Sequence, residues 1–179
     1  MEKPASAGRI DVPVGLTELV EPAKHGSRDF WRVAMAELDD AVHERIQALC
    51  AEGDTLAENA KYPAALNKYW AAWDLLPEPQ TDWEAATSIL AAIGDANFLC
   101  RDFVAGRDNL SMAMHCPEAI GNPFLHLRLG QCEFELGNLD RAADELARAY
   151  MGAGGEIFEG EDKYFEFLKT RLKPPPSGW

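Results

Sequence analysis

The stretch HLRLGQCEFELGNLDRAADELARAY, residues 126–150, decides how the chain is read. Its apolar residues recur at helical spacing. Yet it carries Gly130 and Gly137 inside what reads as helix, and alanines where larger core residues could stand. A glycine in a helix interior costs about 1 kcal/mol against alanine, so packing has to offset that choice wherever it is made. It is made three times. Gly53, Gly94 and Gly130 fall at corresponding places, and Tyr62, Phe103 and Leu139 open the segment after each. Three residues further on stand Ala65, Gly106 and Ala142, then Tyr69, Leu110 and Leu146, then Ala72, Ala113 and Ala149. Every series steps by 41 and then 36 residues. Columns held in one register describe a threefold repeat of helix pairs. A small residue in one helix lets the facing backbone in, and a large side chain fills the hole beside it.

The remaining segments fit around this repeat. Residues 1–26 hold Pro4, Pro13 and Pro22 with Gly8, Gly15 and Gly26, and read as an irregular lead-in. Ser27 is a candidate helix N-cap, and apolar spacing continues from it to Lys61 as one long helix or two. A helix with Pro63 in its first turn is ended by Pro77, and another is capped by Thr81 or Asp82. The fourth stops at Pro117, the fifth starts near Pro123, and the sixth is closed by Gly152, Gly154 and Gly155. A short helix over 162–172 and a proline-rich tail over 173–179 complete the chain. No strand pattern is present. The expectation is an all-α single domain over 27–172, with repeats at about 46–79, 82–118 and 123–152. The helices near 28–45 and 162–172 would close its ends.

Composition narrows the partners. The 179 residues carry a formal charge of −13, with 47% hydrophobic and 26% charged residues. Nucleic acid and anionic lipid call for a basic footprint, so neither is expected as a partner, whereas a basic protein is electrostatically suited. No apolar run approaches the roughly 18 residues of a membrane span. The first residues lack the apolar centre of a signal peptide, which makes the cytoplasm the expected location. Cys50, Cys100, Cys116 and Cys132 form no CxxC pair and are expected to be buried free thiols.

The columns resemble the tetratricopeptide repeat (TPR), whose pattern is W-x₂-L-G-x₂-Y…A-x₃-F…P over about 34 residues. The third copy carries Leu129-Gly130, Gly137, Ala142, Leu146 and Ala149; the first carries Gly53, Tyr62, Ala65, Tyr69, Ala72 and Pro77. The second, with Ile93-Gly94, Phe103, Gly106, Leu110 and Ala113, departs furthest. Leu49, Leu90 and His126 replace the early Trp, and Leu56, Asn97 and Glu133 the aromatic after the glycine. The likeness covers about residues 46–150 and implies a short superhelix of antiparallel helix pairs.

In that family the first helix of each pair lines a concave face. By resemblance the inward residues are Cys50, Asp54 and Glu58, then Ala91, Asp95 and Phe98, then Leu127, Gln131, Phe134 and Glu135. Of these, Asp54, Glu58, Asp95, Phe98, Leu127, Gln131, Phe134 and Glu135 are the candidate partner-binding residues. Some relatives place Lys, Arg and Asn in such positions to hold a C-terminal carboxylate. Acids here would repel one, so a basic or amphipathic polypeptide is the expected occupant. The charge is uneven as well: −3 over 1–45, −7 over 46–120 and −3 over 121–179.

Catalytic and metal-binding patterns do not assemble. HERIQ at 43–47 lacks the second histidine of HExxH, and Cys100, His115, Cys116, His126 and Cys132 follow no closed zinc spacing. Neither a cofactor nor a metal is expected, nor an enzyme activity. Trp31, Trp70, Trp73 and Trp83 read as packing residues, and Trp179 as a tail residue. The ending GAGGEIFEGEDKYFEFLK, 152–169, resembles small bacterial TPR proteins that act as immunity proteins against Rhs or type VI polymorphic toxins. That likeness implies an acidic surface covering a basic toxin domain. The translocator chaperones of type III secretion, also acidic and built of three such repeats, are the competing likeness, and a general TPR scaffold is a third.

Overall fold

The computed structural model describes residues 38–174, and the described residues form helices and no strand. The helices are α1 (Asp40–Glu58), α2 (Tyr62–Trp73), α3 (Glu84–Leu99), α4 (Phe103–Ala113), α5 (Pro123–Glu135), α6 (Leu139–Ala153) and α7 (Asp162–Arg171). One-turn 3₁₀ segments at Gln80–Asp82 and Gly155–Phe158 precede α3 and α7. Each helix packs on the next, so that α1–α2, α3–α4 and α5–α6 form three stacked antiparallel hairpins. The architecture is that of an all-α helix-pair stack. The Ser27 cap, the lead-in, Trp31 and Trp179 lie outside the described residues.

The three glycine positions occupy equivalent crossings. A Cβ added at Gly53 would run into the ring of Tyr69, and one at Gly94 into the side chain of Leu110. At Gly130 it would lie 2.8 Å from Leu146 Cγ and 3.0 Å from the Leu146 backbone nitrogen. In every hairpin the glycine faces the residue sixteen positions later. Three of the second-helix columns are interior: Ala65, Ala142, Leu110, Leu146, Ala72, Ala113 and Ala149 are fully enclosed, and Tyr69 nearly so, whereas the opening column is half-buried at Tyr62 and Phe103 and exposed at Leu139. Gly106 extends the pattern. A Cβ there would meet Cys132 Sγ on α5 at 3.0 Å and the Gly94 carbonyl on α3 at 3.3 Å, so this glycine lets two hairpins close on each other.

A further column appears only in the backbone. Ala60, Arg101 and Gly137 have φ of 55°, 65° and 80°. Their own N–H groups donate to Ala57, Phe98 and Phe134, and the next N–H groups, of Lys61, Asp102 and Asn138, donate to Leu56, Asn97 and Glu133 at 2.9 Å. This is the Schellman closure, which needs a left-handed residue after the helix. Gly137 is therefore a turn residue between α5 and α6 rather than part of a helix. Only there does the sequence supply glycine; the first two repeats place L-residues in a conformation that costs about 1–2 kcal/mol.

Other boundaries also differ from the sequence reading. The helix expected to start at Thr81 or Asp82 starts at Glu84, with Trp83 as its cap residue, because residues 80–82 wind into the 3₁₀ turn. Trp83 Nε1 donates to the Pro77 carbonyl at 2.7 Å and fixes that connection. Helices α2 and α4 end at Trp73 and Ala113, four residues before the prolines expected to stop them. Cys116 and Cys132 are buried, but Cys50 is half-buried and Cys100 is exposed. Cys100 follows α3 at its C-cap, beyond the packed hairpin face.

Two apolar clusters hold the stack. The larger runs from Ile46 and Leu49 through Leu90, Ile93 and Leu110 to Leu125 and Leu129. The smaller joins Leu127, Leu146 and Ala149 to Phe158, Tyr164 and Leu168, so α7 is part of the interior. Between α5 and α6 lies a buried polar pair, His126 Nδ1 2.6 Å from Glu145 Oε2, and the exposed Arg141 reaches Glu145 Oε1 from the surface at 2.5 Å.

Candidate functional site

The residues singled out on the first helices separate into an enclosed group and an open one. On the third hairpin the inner face is taken up by the chain itself. Phe134 stacks edge-on against Tyr164 and Phe167 of α7, with centroids 5.4 and 4.9 Å away. Phe98 packs on Tyr164 and Phe103. Glu135 accepts from Lys163 Nζ at 2.5 Å and from the Tyr164 hydroxyl at 2.7 Å. Burial pushes the Glu135 carboxyl up, but these two donors outweigh it and hold the group below its ordinary value. Leu127 belongs to the core beneath α7, and Gln131 is fully enclosed, its Oε1 accepting from Arg128 at 2.7 Å.

Arg128 joins the two groups. Its Nε lies 2.6 Å from Asp95 Oδ1, held by charge but directed off the line of a hydrogen bond, and its Nη1 lies 3.4 Å from Glu161 Oε1. The guanidinium covers the Phe98 ring at 4.5 Å and stands 5.6 Å from that of Phe124. One side chain thus ties α3, α5 and the segment before α7. Position 128 was not among the candidate residues. Its spacing, two before Gly130, gives no hint that its counter-ions each lie 33 residues away, one on either side of it in the chain.

The open group surrounds a cleft of about 470 Å³. Helix α1 supplies Asp54, Ala57 and Glu58; α3 supplies Ala92, Asp95, Ala96 and Leu99; Tyr69 of α2 and Phe124 of α5 complete the lining. Its volume falls near the lower part of the range of ligand pockets, about 300–1,000 Å³. Three carboxylates line it and no cation does. They differ in state. Asp54 accepts from the Tyr69 hydroxyl at 2.8 Å while staying exposed. Asp95 is desolvated, which lifts its carboxyl above the ordinary value even though Arg128 pulls it down. Glu58 is exposed and makes no hydrogen bond or ion pair among the described residues. Burial raises the Tyr69 phenol, and the Asp54 carboxylate adds to this, so the hydroxyl remains a donor.

Three of the four thiols are withdrawn from solvent to differing extents. Burial pushes the Cys132 thiol to about 12 and raises Cys116 and Cys50 as well, which makes the thiolate scarce at neutral pH. Among the described residues no group of three or more His, Cys, Asp or Glu could hold a metal, and no helix is long and apolar enough to cross a membrane.

Stacked hairpins with small residues at each crossing and a concave cleft define the fold of TPR domains. Solved structures agree with that assignment. The chain is similar to the C-terminal TPR-containing domain of a Plasmodium falciparum FK506-binding protein, with TM-score 0.63 and 15% identity over 78% of this chain and 96% of that one. It is similar to the Yersinia enterocolitica type III secretion chaperone SycD in complex with a peptide of the translocator YopD, with TM-score 0.58 and 15% identity over 75% and 95%. It is also similar to the first TPR domain of human RPAP3, with TM-score 0.57 and 17% identity over 71% and 94%. No family model and no curated protein matches the sequence.

Proposed function

We propose that the chain is a non-enzymatic binding module that takes part of a basic protein partner into the cleft between α1 and α3, and that it serves as an immunity protein neutralising a toxin domain. The observation that carries this reading is the cleft itself: three carboxylates and no cation around alanine, leucine and phenylalanine walls. With a net charge of −13, the whole molecule attracts a cationic partner and speeds encounter. With α7 filling the inner face of the third hairpin, the first two hairpins present the concavity, and they also hold most of the excess charge.

The test is co-expression with the product of the adjacent gene. Immunity is supported by restored growth and a complex that weakens steeply with salt. It is refuted if growth is not restored.

A secretion chaperone is the second reading. The likeness to SycD, solved with a translocator peptide, favours it, as do the exposed apolar side chains of Leu99 and Phe124 beside the cleft. A chaperone complex would tolerate salt and would involve an unfolded apolar segment of the client.

A further inference from the structure

The carboxylates of the cleft do not share the same task. Asp95 is neutralised from within by Arg128 at 2.6 Å. Asp54 and Glu58 are one helical turn apart on α1, on the same side of the helix. Neither is paired with a cation among the described residues, and Asp54 is oriented by the Tyr69 hydroxyl. Between them and α3 the walls are Ala57, Ala92 and Ala96, short side chains that leave a channel with apolar sides.

Resting on the binding-module reading above, we propose that the partner's anchor is a single lysine or arginine side chain on an extended segment. Its aliphatic stem lies along the three alanines and its charged head lies between Asp54 and Glu58. The chemistry excludes the other classes of side chain. An acidic group would meet three carboxylates. A purely apolar one would strip water from Asp54 and Glu58 and return no counter-charge, which burial penalises heavily. A long cationic side chain satisfies both parts of the cleft, since its methylenes favour apolar contact while its head stays polar. Asp54 and Glu58 are then the specificity-determining residues, and Asp95 belongs to the framework.

The experiment uses the full chain and acetylated, amidated peptides of sequence Gly-Ser-Ala-X-Ala-Ser-Gly, followed by amide chemical shifts. With X as lysine or arginine, the amides of 54–58 and 92–99 are expected to move. With norleucine, which has lysine's stem without its charge, or with glutamate, they are not. Asp54→Asn with Glu58→Gln is expected to weaken the lysine peptide about tenfold. The asparagine can still accept from Tyr69, so the melting temperature is expected to hold. Equal binding of the norleucine peptide, or an unchanged affinity in the double variant, overturns the anchor while leaving the binding-module reading intact. A lysine peptide that moves no cleft amide at millimolar concentration also overturns it. Loss of growth rescue with the full-length partner would instead count against the immunity reading.

Discussion

Replacing Gly130 with alanine sets two effects against each other, and the structure decides the sign. On an open helix face the change stabilises by about 1 kcal/mol, because alanine restricts the unfolded chain and favours helix. At this crossing the new methyl would stand 2.8 Å from Leu146 Cγ, 3.0 Å from Cδ2 and 3.0 Å from the Leu146 nitrogen. The side chain can shift, but the nitrogen belongs to α6 and moves only with that helix. Overpacking of this kind costs about 1–3 kcal/mol, so the net expectation is a loss of about 1 kcal/mol, a fall of about 3–5 °C in Tm. Thermal and urea unfolding measure it. Repeating the change in a Leu146→Ala background removes two of the three contacts. There the cost of Gly130→Ala should shrink to near zero or become a gain, a coupling of about 1–2 kcal/mol. Leu146→Ala alone costs about 2–5 kcal/mol. A rise in Tm for Gly130→Ala in the parent chain, or the same cost in both backgrounds, refutes the close-crossing argument.

Ala60→Gly should stabilise by about 1 kcal/mol, because the residue is exposed with φ 55° and glycine carries no Cβ penalty there; unfolding in urea reads the gain. Glu145→Ala should cost about 2 kcal/mol by leaving the buried His126 ring nitrogen without its partner, visible as a lowered urea midpoint. Arg128→Met should cost about 2 kcal/mol, discounted because Asp95 and Glu161 keep some water contact, and hydrogen exchange should show α7 opening more readily. The Glu135 carboxyl is held below its ordinary 4.5 in the fold, so its contribution is full above pH 4.5 and is lost as pH falls through the lower folded value. The stability gap between the parent and Glu135→Gln should therefore close on acidification below pH 4.5. Asp95 has the opposite sign: its carboxyl is raised above 3.8, so its charged form is a cost that protonation relieves, and Asp95→Asn should show the reverse trend.

The helix pairs were legible because their packing recurs at a fixed register. Each close crossing demands a glycine, and each second helix must present a small residue (Ala65, Gly106 or Ala142), a large residue and an alanine toward it, so the constraint prints the same column three times. The left-handed closure after each first helix recurs as faithfully, yet it could not be read. Backbone hydrogen bonds enforce it, and these tolerate Ala60 and Arg101 as well as Gly137 at a modest cost. That Asp54 and Glu58 share one side of α1 follows from helical spacing alone, whereas their inward placement was an expectation from resemblance to the repeat family.

What periodicity could not supply is which inward residues stay open. Phe134 and Glu135 have the same spacing from their glycine as Ala57 and Glu58 have from theirs, but α7 comes back against them from about 30 residues downstream. Asp95 and Asp54 likewise occupy matching positions, and only the reach of Arg128 from α5 makes one of them an internal counter-ion. Local spacing determines the face on which a side chain emerges, because it follows from the helix itself. Whether that face meets another part of the chain depends on long-range closure, which no neighbouring residue encodes, and here that closure separates the cleft from the core.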